Sequence, residues 1–67
     1  MIIVNINKKN NLYKFKAINY GLGNYKPLTF KDKNFKDLSK AMESAKSISE
    51  NYAPVTVYFD GDKISFI

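Results

Sequence analysis

Phe35-Lys-Asp-Leu38-Ser-Lys-Ala41-Met42-Glu-Ser-Ala45-Lys-Ser-Ile48-Ser-Glu-Asn-Tyr52 is the stretch on which the fold of this chain turns. Its apolar residues recur at intervals of three and four, while Lys36, Lys40, Glu43, Lys46, Ser47 and Glu50 fall elsewhere around the cylinder, which is the pattern of a helix with one buried stripe. Asn34 is the expected N-cap, with Asp37 three residues on; Asp32 is an alternative half a turn earlier. Pro54 disfavours helical backbone at Ala53, so the helix is expected to stop near Asn51 or Tyr52. About 17 residues at 1.5 Å each give a rod of roughly 25 Å, long enough to cross a small sheet.

The flanks supply that sheet. Ile2, Val4 and Ile6 alternate with Ile3 and Asn5, and Tyr13, Phe15 and Ala17 alternate with Lys14 and Lys16, so each run reads as a half-buried strand. A two-residue turn at Asn10-Asn11 places Ile6 opposite Phe15 and Val4 opposite Ala17; a four-residue turn places Ile6 opposite Tyr13. Both keep the same apolar face. After Pro54, Val55, Val57 and Phe59 alternate, then Ile64 and Phe66, giving a second hairpin around Gly61 in which Phe59, Val57, Ile64 and Phe66 share a face. Leu28-Thr29-Phe30 is read as a short extra strand or an anchor for the preceding loop. The expectation is one α+β domain spanning residues 1–67, ordered β-β-(short β)-α-β-β, with one helix on one face of a mainly antiparallel sheet. Leu38, Met42, Ala45 and Ile48 are expected to pack on Val4, Phe15, Val57 and Phe66.

Composition narrows the chemistry. The 67 residues include no cysteine, histidine, tryptophan or arginine, against eleven lysines. Thiolate and imidazole ligands are therefore excluded, and with them structural zinc, haem, iron–sulfur clusters and disulfides. The side chain that titrates nearest neutrality is missing too, and the six acids form no pattern suited to acid–base work. No catalytic residue, metal site or cofactor is expected. Asp60-Gly61-Asp62 has the residue types of a calcium-loop fragment but lacks the further oxygen ligands such a loop needs, so it is read as a hairpin turn. Gly21-x-Gly23 lacks the third glycine and the helix of a dinucleotide fingerprint. The opening Met1-Ile2-Ile3-Val4 has no leading positive charge and breaks at Asn5, and it reads as a strand. No stretch approaches 18 apolar residues; a soluble, cytoplasmic protein is expected.

The remaining surface points to binding. Residues 1–36 hold eight lysines and one acid, a balance of +7, whereas residues 37–67 hold three lysines and five acids, a balance of −2. Such asymmetry suits an acidic partner or a phosphate backbone. One helix covers one sheet face, and parity assigns Ile3, Asn5, Asn7, Leu12, Lys14, Lys16, Ile18, Thr56, Tyr58, Ser65 and Ile67 to the other. The glycine-bearing loop 19–27 is the expected recognition segment, with Tyr20 and Tyr25 as anchors and Lys26 as its charge. In an equal alternative the two tyrosines close the core. Lys31, Lys33 and Lys36 extend the basic region, and Lys14, Lys16 and Tyr58 mark the open face. The function expected is stoichiometric, non-catalytic contact with a protein whose surface is acidic or loaded with nucleic acid. Lysine, asparagine, isoleucine, tyrosine and phenylalanine, all read from A/T-rich codons, direct that expectation to a phage or mobile-element inhibitor of a host nucleic-acid-handling machine, such as an anti-CRISPR protein. The alternative is direct nucleic-acid binding through lysine–phosphate contacts, with weak sequence preference because arginine is absent. A homodimer through the open sheet face is a third arrangement the pattern allows.

Overall fold

Two hairpins frame the molecule, and each is closed by two residues in left-handed backbone. The computed structural model describes residues 1–21 and 27–67; Tyr25 and Lys26 lie outside them. The first hairpin joins β1 (Ile2–Lys9) to β2 (Leu12–Asn19) through Asn10 and Asn11, whose φ angles are 52° and 63°. Asparagine tolerates this region, and such a turn matches the natural strand twist. The pairing is the one expected from a two-residue turn, with Ile6 opposite Phe15 and Val4 opposite Ala17.

The chain continues through β3 (Leu28–Thr29) and β4 (Lys33–Phe35), then α1 (Leu38–Asn51), β5 (Val55–Phe59) and β6 (Asp62–Phe66). The strand order is β3-β2-β1-β5-β6, with β4 pairing farther along β2. Every pairing is antiparallel except β1 with β5. Because β1 and β4 both run against β2, β4 and β5 are parallel, and α1 is the crossover that carries the chain over the sheet between them. The architecture is the α+β class expected: a helix on one face of a mainly antiparallel sheet.

Parity in β1, β2 and β5 makes the core. Ile2, Val4, Ile6, Phe15, Ala17, Val55 and Val57 are buried, together with Ala41 and Ala45 of α1. Two alanines let the helix backbone descend onto the sheet, while Leu38, Met42 and Ile48 pack around them, half-buried. No helix among the described residues is long and apolar enough to cross a membrane.

Two expectations are corrected. The helix starts three residues later than Phe35: its N-cap is Asp37, extended at φ −122° and ψ 140°, and the carboxylate makes no capping bond. Phe35 fits the apolar stripe but belongs to β4, where it pairs with Tyr13 and its ring meets Phe15 edge-on at 5.7 Å. A sheet position beside the largest core side chain outweighs one more helical turn, so Asn34 and Asp32 are not caps.

The second correction concerns β6. Tyr58 pairs with Lys63, Val57 with Ser65 and Thr56 with Phe66, which leaves Ile64 as an extra residue. This β-bulge inverts the parity of all that follows. Phe66 is therefore no part of the core and is 65% exposed. Ser65 and Ile67 move to the helix side instead: Ile67 exchanges both backbone hydrogen bonds with Val55, at 2.6 and 2.9 Å, and Ser49 Oγ on α1 donates to the Ile67 carbonyl at 2.7 Å. The physical reason lies in the helix footprint. α1 packs mainly over β2, β4 and β5, so an inward Phe66 would gain little burial, and an edge strand bulges at low cost.

Asp60 and Gly61, with φ of 47° and 91°, form the second turn. The Asp60 amide donates to the Ile6 carbonyl at 2.9 Å, and the Lys8 amide donates to Asp60 Oδ1 at 3.2 Å. Asp60 thus ties the second hairpin to β1, and Asp60-Gly61-Asp62 is a turn, as expected.

Candidate binding face

The face opposite α1 is ordered in rows that run across the strands. The strand register aligns Thr29, Ile18, Ile3, Thr56 and Phe66 in one row. At a strand spacing of about 4.8 Å this row is roughly 19 Å wide. Beyond it, at the end of the sheet, Met1 and Tyr20 face each other: the Tyr20 amide donates to the Met1 carbonyl at 2.7 Å, and the Met1 amino group donates to the Tyr20 carbonyl at 3.0 Å. In the opposite direction the next row is Lys16, Asn5, Tyr58 and Lys63, and then Asn34, Lys14 and Asn7. Lys9 and Leu12 form the last pair. The face therefore grades from apolar to basic along the strand direction.

Charge is segregated by face as well as by sequence. The outward strand positions carry Lys9, Lys14, Lys16 and Lys63 and, among the described residues, no carboxylate. Glu43 and Glu50 are exposed on α1, with Glu43 3.7 Å from Lys40. Asp37 precedes the helix, Asp60 is held in its turn, Asp62 pairs with Phe59 on the core-side parity, and Asp32 lies between β3 and β4.

Most exposed apolar side chains gather at one end; Ile64, also exposed, sits at the bulge of β6. Met1, Tyr20, Leu28, Tyr52, Phe66 and Ile67 are all exposed, and all sit where β1 and β5 begin and β2, α1 and β6 end. Of these, Met1, Tyr20 and Phe66 belong to the open face, whereas Leu28 and Ile67 are on the helix-side parity; exposed apolar side chains grouped on one face mark contact sites.

Of the residues expected to bind, Lys14, Lys16 and Tyr58 share the open face and Tyr20 stands at its apolar end, 40% exposed. Tyr25 and Lys26 are outside the described residues. Lys31 and Lys33 lie elsewhere, beside a groove of about 520 Å³ between α1 and the β3–β4 connection. Phe30 and Tyr52 form one wall of it, edge-to-face at 5.3 Å. Lys36 follows Phe35 toward the opposite, polar end, so these three lysines are strung along the β2 edge. Phe66 and Lys63 were missed as members of the open face. Parity alone put Phe66 inside, and the sequence carries no signal for the bulge; the place of β6 at the sheet edge, which permits it, comes from the strand order of the fold.

Comparison with protein-family models, with curated proteins and with solved structures finds no match to this chain.

Proposed function

We propose that this chain is a non-catalytic binding protein that acts by stoichiometric contact with another protein, through the apolar half of the open sheet face. One observation carries the reading. Met1, Tyr20, Ile3, Ile18, Thr56 and Phe66 occupy adjoining register positions of a largely apolar surface on paired strands and their ends, two of them large aromatics of the kind enriched at interface centres. A surface held by backbone ladders loses little conformational freedom on binding, which favours affinity.

The adjoining lysines suit a partner whose surface is acidic or loaded with nucleic acid, because charge complementarity raises the association rate and fixes orientation. The partner class we propose is a host nucleic-acid-handling machine, such as a CRISPR effector, and the source a phage or mobile element. Small size, a lysine-rich half and a composition weighted to amino acids with A/T-rich codons support this assignment. Affinity capture with the immobilised chain, run on lysate of its own host with and without nuclease, tests the reading. A protein retained in near-stoichiometric amount after nuclease treatment is the expected result, and loss of all bound protein with the nucleic acid is the result that overturns it.

A further inference from the structure

The basic half of the open face, together with Phe66 from its apolar half, has a second use beyond the protein contact. The bulge at Ile64 places Phe66 on the same side as Tyr58, on the adjacent strand and two positions along, since Phe66 pairs with Thr56. Diagonal neighbours of this kind are about 7 to 8 Å apart. Lys63 stands directly beside Tyr58 on β6, Lys16 lies two strands away in the same row, and Lys14 and Lys9 continue toward the polar end. Tyr20 adds a third aromatic at the opposite end. Aromatic rings on a sheet face, flanked by cations and free of carboxylates among the described residues, are the elements that hold unpaired bases: rings stack on the bases, and lysines track the phosphates.

We infer that this face binds single-stranded nucleic acid, with bases on Tyr58 and Phe66 and the backbone along Lys16, Lys63, Lys14 and Lys9. Charge complementarity selects this occupant over a second copy of the chain, because two such faces brought together would oppose eight lysines, four from each copy. The outward rings select single strands over duplex. A duplex hides its base faces and would use the lysines alone, whereas an unpaired strand uses rings and lysines together. Lysine supplies charge without the planar fork that reads base edges, so binding depends weakly on sequence.

Fluorescence anisotropy with labelled 12-nucleotide oligo(dT), oligo(U) and a mixed-sequence duplex of equal length tests the inference. Single strands are expected to bind more tightly than duplex, with a log–log salt slope of about −2.8 for four phosphate contacts. Phe66→Ala and Tyr58→Ala are each expected to weaken single-strand binding about 5- to 150-fold. Phe66→Ala is the cleaner variant, because its ring is exposed and its removal leaves the core intact; a thermal melt verifies that it is folded. Duplex bound as tightly as single strands, or Phe66→Ala without effect in a folded variant, would overturn the inference. So would failure of any oligonucleotide to bind at 50 mM salt, and so would sedimentation showing a stable dimer of the free chain that Phe66→Glu dissociates.

Discussion

Phe15 and Phe66 are the same residue type in alternating strands, and their fates differ completely. Phe15 is 2% exposed, beneath α1 and against Phe35, whereas Phe66 is 65% exposed. Phe15→Ala should cost about 3 to 5 kcal/mol, by loss of transfer energy and creation of a cavity, a large fraction of the stability of so small a domain. Phe66→Ala should stay within about 0.5 kcal/mol of the parent. Chemical denaturation of the two variants decides the matter, and an equal loss from both would mean that Phe66 is in the core after all. Gly61 is the other decisive single residue. Its φ of 91° lies where a Cβ is disfavoured, although no heavy atom lies within 4 Å of the position a Cβ would take. Gly61→Ala should therefore destabilise by about 1 kcal/mol through backbone strain and not through a clash. A melting temperature lowered by about 4 to 8 °C is the expected reading, and an unchanged one would argue against this turn.

At the level of elements, α1 is held by its underside and its C-terminal turn and hardly at all by its N-terminal end. Asp37 makes no side-chain capping bond, and α1 has no acid in its first turn and no base in its last. Asp37→Ala should therefore cost well under the roughly 1 kcal/mol of a working cap, measurable by denaturation. A full cap-sized loss would show that the carboxylate bonds the helix in solution. The same elements show how far the sequence could be read. β1, β2 and β5 were legible because each presents an unbroken alternation to a fully buried face, where a one-residue slip would bury Asn5 or Lys16. The helix body and its end before Pro54 were legible from periodicity and from proline geometry. Its start was not, because Phe35 satisfies the helical spacing and the sheet pairing equally, and only the tertiary contact with Phe15 decides between them. β4 carries no strand signal of its own in Lys33-Asn-Phe35. In β6, Ile64 and Phe66 alternate whether or not a bulge intervenes, so the sequence pattern cannot distinguish an inward Phe66 from an outward one. Lys14, Lys16 and Tyr58 were legible as candidate binding residues because their strands hold regular parity; Phe66 joined them only once the bulge was seen, whereas Lys63, which precedes the bulge and pairs with Tyr58, was open to the same parity reading.

The molecule as a whole is polarised twice. Its acids lie on the helix, in turns and along one edge, its open face is basic at one end and apolar at the other, and the two properties meet on that one surface. The central claim is that this face does the binding. Its most direct test is capture of the nuclease-resistant protein partner by three immobilised chains: the parent, an open-face variant combining Ile18→Glu with Phe66→Glu, and a helix-face variant combining Lys46→Ala with Glu50→Ala. Both variants should fold, as checked by circular dichroism and thermal melting, since Phe66 is exposed, Ile18 points away from the core, and Lys46 and Glu50 are exposed on α1. The expected result is capture by the parent and the helix-face variant at the same level and at least a tenfold loss with the open-face variant, the effect of about 1.4 kcal/mol. Undiminished capture by a folded open-face variant, or loss confined to the helix-face variant, would contradict the account.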